Sequence, residues 1–385
     1  MSYFYGIKQE KEVLMREIRI AQVIGKMNGG GVETFVLTYQ MALCKFGVYF
    51  DYIVDSDSRR VPTNQIEKFG GRVFFITPYQ RIFKYCADLY RLFAKEKWDV
   101  VHCHINTLSI FPLLVAKISG VKVRISHCHG TASVWHRELV KNIIKFSLRP
   151  FAKLFATHYL ACGENAARWL FGKNTDVVII NNAINSSKFL FDYCEREKVR
   201  KYYGIDKNTF VVGHIGRFVG VKNQKYIIKI AKAIFAKNNN LNIMFMLCGD
   251  GPQINEIKRH VKHAGLLKRF IFTGYITESY RIYNAFDIFI LPSLYEGLGI
   301  VAIEAQQNGL YCFVSTGVPA ETKVTSRMRY IDIGEENKEE WSNSIINAMK
   351  ENNDRRVNII SNYNIDICAK KLFDIYNKAL NNCIC

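Results

Sequence analysis

The stretch Leu291-Pro-Ser-Leu-Tyr-Glu-Gly-Leu-Gly-Ile-Val-Ala-Ile-Glu-Ala305 passes from an apolar run through a glycine-containing turn into a helical pattern. If the helix begins near Leu298, the amides of Leu298, Gly299 and Ile300 have no partner within the helix and lie at its positive end. Amides in this position bind anions. The stretch therefore predicts a site for a phosphate or a diphosphate.

Two glutamates, eight residues apart, lie on either side of this turn. Glu304 is about one turn inside the predicted helix, where a carboxylate can accept hydrogen bonds from two neighbouring hydroxyls. Glu296 is on the preceding loop, on the other side of the phosphates. Together they favour a sugar nucleotide as ligand. Taken alone, the stretch also allows Glu296 to be a helix cap and Glu304 to lie on a solvated face.

A second loop, Gly216-Arg-Phe-Val-Gly-Val-Lys-Asn223, follows an apolar run that ends at Ile215. Arg217 and Lys222 are then expected at the carboxyl end of a strand, where two cations can neutralise a diphosphate leaving group. Either cation by itself would be read as a surface charge, and their shared position favours function.

A third loop, Asn28-Gly-Gly-Gly-Val-Glu33, follows the first apolar run and opens a helical pattern. It lacks the Gly-x-Gly-x-x-Gly spacing of dinucleotide-binding proteins. Three glycines nevertheless let the backbone approach a ligand closely, although a tight turn explains them equally well.

Short runs rich in β-branched and aromatic residues alternate with helical patterns along the chain, which is typical of parallel βαβ units. The alternation restarts near Phe210. The predicted strands are 18–24, 50–54, 73–76, 100–104, 121–127 and 158–162 in the first half, then 210–215, 243–248, 270–273, 288–291 and 311–314 in the second.

The sequence thus predicts an α/β protein with two doubly wound, Rossmann-like domains that face each other across a cleft. We expect residues 1–190 to form an acceptor-binding domain and residues 191–365 to form a nucleotide-sugar-binding domain. A final helix, about 366–385, is expected to pack back near the first domain.

The composition narrows the functional class. The 385 residues are 49% hydrophobic and 23% charged, which excludes a disordered or collagen-like chain. Lys and Arg total 53 against 34 acidic residues, a net charge of +19, so anionic partners are expected. A nucleic-acid-binding protein is one alternative, but no basic recognition helix or aromatic sheet motif is present.

The 11 cysteines form no Cys-x-x-Cys pair, which favours reduced thiols in the cytoplasm. The charged opening, Met1 to Arg16, predicts no secretory leader, and no apolar run reaches the roughly 18 residues that span a bilayer. We therefore expect a cytoplasmic protein.

Four histidines occur in two alternating pairs, His102 with His104 and His127 with His129, at predicted strand ends. Alternate residues of a strand point to one side, which raises the question of a metal. Because no nearby residue completes a familiar ligand spacing, we predict no metal. The pair in Asp55-Ser-Asp57 is likewise expected in a solvated loop.

A basic amphipathic segment spans residues 136–154. Its cations recur every four residues between apolar ones: Arg137, Lys141, Lys145, Arg149 and Lys153. Such a segment can bind an anionic membrane at the inner face of the plasma membrane, or it can be an ordinary helix with a solvated basic stripe.

Five motifs occur in the order found in the retaining glycosyltransferases of family 4, which have the GT-B fold. They are the Gly29–Glu33 loop, the Gly216–Asn223 loop, the turn Cys248-Gly-Asp-Gly-Pro252, the strand end Thr273-Gly-Tyr275 and the pair Glu296 and Glu304. The chain resembles that family over about residues 18–380, and the Leu294 to Leu298 and Lys222 to Gln224 segments look like its bacterial capsule and exopolysaccharide branch. The family's usual Pro-Asn-Gly-Ile/Val-Asp signature is replaced here by Asn181-Asn-Ala-Ile-Asn185.

The resemblance implies a role for each matching position. His129 and Glu296 would contact the donor sugar, Arg217 and Lys222 would neutralise the diphosphate, and Glu304 would hold the ribose. The remaining donor-binding positions implied are Gly30, Gly31, Gly216, Gly249, Gly251, Tyr275, Ile276, Leu298, Gly299 and Ile300.

The expected reaction is transfer of a hexose-type sugar from a nucleoside diphosphate donor, expected to be UDP-linked, to a lipid-diphosphate-linked glycan. By resemblance it proceeds with retention and without a metal or other cofactor. A sugar-nucleotide epimerase of the same fold stays open as an alternative, whereas no lysine site for a pyridoxal phosphate-dependent phosphorylase is evident.

Overall fold

The chain was analysed as a computed structural model, which describes residues 17–130, 139–351 and 354–382. It divides into two units. The described residues up to Asn181, together with those from Ile365 onward, form the first unit, and Asn182–Asn364 form the second.

The first unit is a parallel sheet flanked by helices. Within its described residues the strands lie in the order β3-β2-β1-β4-β5-β6-β7. The strands are β1 Ile18–Gly25, β2 Val48–Asp55, β3 Arg72–Ile76, β4 Val100–Cys103, β5 Val123–Cys128, β6 His158–Ala161 and β7 Val178–Ile179. The helices are α1 Gly31–Leu43, α2 Thr63–Lys68, α3 Ile82–Glu96, α4 Ile110–Ile118, α5 Leu139–Leu148, α6 Glu164–Phe171 and, at the end of the chain, α13 Ile365–Asn381.

Helix α13 packs on α1 although more than 300 residues separate them in sequence. The ring of Phe373 stacks on Phe46 with centroids 5.1 Å apart, and Tyr376 is fully buried against Phe50. An ion pair joins Lys45 to Asp366 at 2.6 Å. The first sheet is therefore covered in part by the last helix of the chain.

The second unit has the same construction. Within its described residues the strands lie in the order β10-β9-β8-β11-β12-β13. They are β8 Phe210–Ile215, β9 Ile243–Cys248, β10 Phe270–Gly274, β11 Ile288–Leu291, β12 Tyr311–Val314 and β13 Met328–Tyr330. The helices are α7 Tyr193–Tyr202, α8 Gln224–Lys237, α9 Ile254–His263, α10 Ser279–Ile282, α11 Ile300–Gln307 and α12 Lys338–Ala348.

The strands β8, β9, β11 and β12 of the second sheet are buried on both faces, which explains their continuous apolar runs. Val211 and Phe289 pack in one core with α11, while the neighbouring residues Val212 and Ile290 pack in the other core with α8 and α12. The prediction of two doubly wound α/β units is confirmed.

Each sheet reverses its strand order once, between β1 and β4 in the first unit and between β8 and β11 in the second. In open α/β sheets, ligands bind outside the carboxyl ends of the strands at this reversal. The loops after β8 and β11 carry the Gly216–Asn223 and Pro292–Gly299 motifs, so the fold brings these two motifs to one edge.

Helix α7 is held on the second sheet by a charge cluster. Asp287, just before β11, pairs with Arg196 at 2.5 Å and with Arg200 at 2.6 Å, and it also accepts the amide of Val211 at 2.7 Å. A buried carboxylate is tolerated when its oxygens are paired in this way. The cluster fixes the start of β11, and hence the loop that follows this strand.

We predict that Gly213→Ala destabilises the second unit. A Cβ at Gly213 would lie 2.2 Å from the ring of Phe286, which is fully buried and has no room to move. Overpacking of this kind costs about 1–3 kcal/mol, measurable as a lower free energy of unfolding in urea. The matched control is Gly31→Ala, where no atom lies within 4 Å of the new Cβ. Equal stability of both variants would contradict the close contact.

Candidate functional site

The loops after β8 and β11 are tied together at the reversal of the second sheet. The amide of Leu294 donates to the carbonyl of Val221 at 2.8 Å, and the side chain of Asn223 donates to the carbonyl of Pro292 at 3.1 Å. Asn223 has a positive φ of 55°, which asparagine tolerates better than most residues. These bonds fix the positions of the charged side chains on both loops.

Lys222 and Glu296 form an ion pair across the two loops. The Nζ of Lys222 lies 2.6 Å from Oε1 of Glu296, and the hydroxyl of Ser293 donates to the same oxygen at 2.6 Å. Both charged side chains are largely buried. The structure thus joins Lys222, which was expected to neutralise a diphosphate, to Glu296, which was expected to contact the donor sugar.

The turn before α11 leaves three amides without a partner. Gly299 adopts φ 74° and ψ 46°, the left-handed conformation that glycine reaches without strain. Helix α11 begins at Ile300, and among the described residues no acceptor is bonded to the amides of Leu298, Gly299 or Ile300. These amides lie at the positive end of a helix and can bind an anion.

Arg217 supplies an exposed cation on the loop after β8. Within residues 17–130, 139–351 and 354–382, its guanidinium is bonded to no other group, whereas its carbonyl accepts the side-chain amide of Gln224 at 3.1 Å. The side chain is available for a ligand.

Glu304 is partly buried inside α11. The hydroxyl of Tyr283 donates to its Oε2 at 2.6 Å and also lies 3.1 Å from the carbonyl of Val301. Burial raises the pKa of Glu304 to about 7, and the bond from Tyr283 opposes this rise. The carboxyl is therefore poised to change charge near neutral pH.

The turn after β9 packs tightly on the loop after β8. Gly249 has φ 134°, and a Cβ there would lie 2.2 Å from the carbonyl oxygen of Gly216. A Cβ at Gly251 would meet the backbone of Phe218 at 2.5 Å. The glycines therefore allow two loop backbones to lie against each other.

Tyr275 and Ile276 follow β10, the neighbour of β9. The side chain of Tyr275 is 62% exposed, while Ile276 packs against the core. An exposed aromatic ring in this position can stack on a planar base.

His214 was missed by the sequence reasoning. It is fully buried in β8, with Nδ1 3.0 Å from the carbonyl of Ile290 and Nε2 3.3 Å from the side-chain nitrogen of Gln224. Burial lowers its pKa to about 4. A Cβ at Gly216 would lie 3.3 Å from Nε2, so this neutral ring supports the glycine loop from below.

In the first unit, the carboxylate of Glu33 forms hydrogen bonds with backbone amides of the glycine loop after β1. Glu33 accepts the amide of Asn28 at 2.7 Å and the amide of Gly30 through its other oxygen. The amide of Gly30 is thus already bonded. Within the described part of the chain, no neighbouring atom lies within 4 Å of a Cβ built on Gly31.

The four histidines at the ends of β4 and β5 form one cluster in the first unit. The ring nitrogens of His102 and His127 lie 3.1 Å apart, and those of His104 and His129 lie 2.7 Å apart. Burial lowers all four pKa values, that of His129 to about 3. The rings are therefore neutral at physiological pH.

One nitrogen from each of His102, His104 and His127 falls within 4.8 Å of the other two, a spacing that a metal ion could use. Both nitrogens of His102, both nitrogens of His104 and Nδ1 of His127 already bond to neighbouring side chains. Nε2 of His127 is buried without a hydrogen bond among the described residues. The expectation that this cluster holds no metal stays a prediction.

The expectation of a solvated loop at Asp55 is wrong. Asp55 ends β2 and is fully buried, and neither of its carboxylate oxygens has a partner among the described residues. Burial raises its pKa to about 6. Only Asp57 is exposed, where it pairs with Lys26. Strand β2 is buried on both faces, and it continues one residue further than the polar loop suggested.

The basic amphipathic segment lies partly outside the described residues, which exclude Arg137. Its described part carries exposed apolar side chains at Ile143, Phe146, Phe151 and Leu154, each between 51% and 63% exposed. None of the helices in the described part of the chain has the length and apolarity to cross a membrane.

The two halves of the chain match two family models. Residues 29–188 match the model "Glycosyltransferase Family 4", and residues 195–364 match the model "Glycosyl transferases group 1". A Bacillus subtilis (strain 168) protein named as the glycosyltransferase EpsF is 30% identical over 308 residues, which cover 78% of this chain and 79% of EpsF. The chain belongs to glycosyltransferase family 4.

A second relative in this family is the Escherichia coli UDP-Gal:alpha-D-GlcNAc-diphosphoundecaprenol alpha-1,3-galactosyltransferase. It is 31% identical over 257 residues, which cover 63% of this chain and 66% of the relative. The capsular polysaccharide biosynthesis glycosyltransferase CapM of Staphylococcus aureus is 23% identical over 274 residues, covering 66% and 68%.

Solved structures agree on the fold of this family 4 glycosyltransferase. HepE from Anabaena, solved in complex with UDP and glucose, superposes with a TM-score of 0.76 at 17% identity and covers 94% of this chain and 100% of its own. WaaG, a glycosyltransferase involved in lipopolysaccharide biosynthesis, superposes with a TM-score of 0.66 at 13% identity, covering 94% and 99%. The fold is GT-B.

We predict that Glu304→Gln removes a pH-dependent loss of stability, measured as the free energy of unfolding, from this glycosyltransferase. The ordinary pKa is near 4.5 and the folded pKa is about 7, so the native state binds more protons than the unfolded state between these values. The free energy of unfolding of the wild type should therefore fall, relative to Glu304→Gln, by up to about 3 kcal/mol as pH rises from 4.5 to 7.

Urea unfolding of the ligand-free proteins at several pH values measures this difference. Glu67→Gln, at an exposed glutamate of the first unit, controls for the loss of one carboxylate. A difference between wild type and Glu304→Gln that stays constant with pH would contradict the raised pKa.

Proposed function

We propose that this glycosyltransferase transfers a hexose from a UDP-linked donor, with retention of the anomeric configuration, to a lipid-diphosphate-linked glycan in bacterial capsule or exopolysaccharide synthesis. The observation that carries the proposal is the turn at Gly299, where three unpaired amides lie at the positive end of α11. A diphosphate satisfies these amides and is stabilised by the helix end.

The residues around this turn suit a nucleoside diphosphate rather than a simple phosphate. Glu304 lies one turn into α11 and keeps one carboxylate oxygen, Oε1, available to ribose hydroxyls while Tyr283 bonds to the other. Tyr275 offers an exposed ring for the base. HepE, of the same fold, was solved with UDP and glucose, which supports uracil as the base.

The departing diphosphate gains negative charge as the glycosidic bond breaks, and Arg217 and Lys222 are placed to stabilise it. Arg217 is exposed and unpaired among the described residues, whereas Lys222 is held by Glu296. We propose that Glu296 turns toward the sugar hydroxyls once the diphosphate becomes the partner of Lys222. Preorganised cations of this kind lower the barrier without a protein nucleophile, and we propose that they act without a metal.

The family resemblance assigns His129 to a hydroxyl of the donor sugar. Its ring is neutral because burial lowers its pKa to about 3. A neutral imidazole offers one donor and one acceptor, which suits a hydroxyl better than an anion.

A lipid-linked acceptor is supported by two independent points. The Escherichia coli relative is named for a diphosphoundecaprenol-linked substrate. Helix α5 and the residues that follow it expose apolar side chains, among them Phe146 and Phe151, next to the cations Lys145 and Lys153 in sequence. Such a surface binds at the interface of an anionic membrane, and we propose peripheral binding at the inner face of the plasma membrane.

The donor and the stereochemistry are tested together. Thermal-shift measurements with UDP, GDP and ADP sugars should single out a UDP sugar, and release of UDP should require the acceptor. The anomeric proton coupling of the product by NMR should match that of the donor. A rearranged sugar formed without acceptor would instead indicate an epimerase, and an inverted anomer would contradict retention.

We predict that Lys222→Met lowers kcat by about 10²–10³-fold with little change in the donor KM, because the lost charge acts mainly on the departing diphosphate. Steady-state kinetics with the donor identified above measures both constants. Lys225→Met is the matched control, since Lys225 lies on α8 and pairs with Glu256 on the surface. A raised KM with an unchanged kcat would mean that Lys222 only binds the donor.

We predict that Ile143→Ser combined with Phe146→Ser weakens binding to phosphatidylglycerol vesicles by about tenfold or more, because two apolar side chains leave the interface. Co-sedimentation at low and high salt measures the affinity. The control Phe83→Ser changes an aromatic residue that is 90% exposed on α3, outside the segment. Equal loss of vesicle binding in both variants would contradict a specific role of this segment in membrane binding.

A further inference from the structure

Two chains of hydrogen bonds connect the four histidines of the first unit to the side-chain amide of Gln22 in β1. Gln22, His102, His127 and Tyr376 are each at most 1% exposed, and His104 is 3% exposed. We propose that Gln22 orders the protons of this cluster so that His127 and His129 present one hydrogen-bond donor and one acceptor to a hydroxyl of the sugar substrate. The inference rests on the proposed sugar transfer and adds Gln22 as a positioning residue.

The first chain of bonds runs from the oxygen of Gln22 to His129. Nε2 of His104 lies 2.6 Å from Oε1 of Gln22, an atom that only accepts, so this nitrogen carries the hydrogen. Nδ1 of His104 then accepts from Nε2 of His129 at 2.7 Å. A neutral ring has one hydrogen, so Nδ1 of His129 ends the chain as a lone pair.

The second chain runs from the nitrogen of Gln22 to His127. Nε2 of Gln22 donates to the hydroxyl of Tyr376 at 3.5 Å, a long bond. Nδ1 of His102 lies 2.8 Å from the same hydroxyl, and we infer that the hydroxyl donates to it because its hydrogen has no other acceptor among the described residues. Nε2 of His102 donates to Nδ1 of His127 at 3.1 Å. Nε2 of His127 therefore ends this chain as an N–H group.

The two end atoms are the ones that lack partners. Among the described residues, Nε2 of His127 and Nδ1 of His129 are buried without a hydrogen bond. Their rings are stacked, with centroids 4.1 Å apart. One end donates and the other accepts, which is the combination that a hydroxyl satisfies.

The two end nitrogens have opposite roles, one donor and one acceptor, because the amide of Gln22 has one accepting oxygen and one donating nitrogen. Rotating the side-chain amide of Gln22 by half a turn would exchange its oxygen and nitrogen and would reverse both chains together. His129 would then donate and His127 would accept, so the ends would stay complementary. Neutrality of all four rings is required, and burial lowers each of their pKa values.

The proton order can be measured without any substrate. Long-range ¹H–¹⁵N NMR of the full chain with ¹⁵N-histidine distinguishes protonated from unprotonated ring nitrogens. We expect four neutral rings at pH 7, with opposite protonation at the end nitrogens of His127 and His129. Hydrogens on both ends, lone pairs on both ends, or a charged ring would overturn the proposal. Binding of one equivalent of Zn²⁺ by these rings, with loss of their N–H signals, would also overturn it.

Gln22→Glu tests the role of the amide with almost no change in shape. A carboxylate accepts from both His104 and Tyr376, so the chain through His102 reverses and both ends become acceptors. We expect the ¹⁵N shift of Nε2 of His127 to move to the unprotonated range. The KM for one substrate should rise about fivefold, the loss of one hydrogen bond worth about 1 kcal/mol.

Tyr376→Phe is the matched control, because it cuts the chain to His127 and leaves the chain from Gln22 to His129 intact. The protonation of His129 should stay that of the wild type. Separate KM values for donor and acceptor show which substrate carries the hydroxyl. No KM effect of Gln22→Glu on either substrate, or unchanged His127 protonation, would overturn the proposal, whereas a failed transfer assay would leave the NMR result standing.

Discussion

The amides of Leu298, Gly299 and Ile300, which have no partner among the described residues, are the feature on which the proposed anion site of the second unit depends. They exist because Gly299 takes a left-handed conformation that lets α11 begin abruptly after the loop from β11. A side chain there would be strained and would also meet Val318 at 3.3 Å. The loop is fixed by its bonds to the neighbouring loop after β8, so the amides are positioned before a ligand arrives.

The loops after β8 and β11 and the start of α11 carry one exposed cation, one cation paired with a carboxylate, and one carboxyl group whose pKa is raised by burial. Arg217 is exposed, Lys222 is neutralised by Glu296, and Glu304 is close to half-protonated at neutral pH. The unliganded site therefore avoids strong repulsion between like charges. In the proposed function, an incoming diphosphate pairs with Lys222 and releases Glu296, and this exchange links donor binding to sugar positioning.

The architecture was predictable because apolar runs of strand length alternate with helical patterns, and because Gly216 and Gly299 follow such runs. The short strand β13, Met328–Tyr330, was not predicted, since three residues carry too little pattern. Tyr283 and His214 were missed for a different reason: each acts through a long-range contact, to Glu304 and to Gln224. Spacing along the chain predicts which residues share a loop. It does not predict which buried residue from another element forms a hydrogen bond with each of them.

The two sheets place contrasting chemistry at their reversals of strand order. The second unit has cations and open amides, which suit phosphate oxygens, whereas the first has four histidines that burial keeps neutral. Glu33 already occupies the amide of Gly30 at the helix after β1, so an anion there would compete with a carboxylate. Neutral imidazoles discriminate against anions and favour hydroxyls. Phosphate oxygens therefore suit the loops of the second unit, and hydroxyls suit the histidines of the first unit.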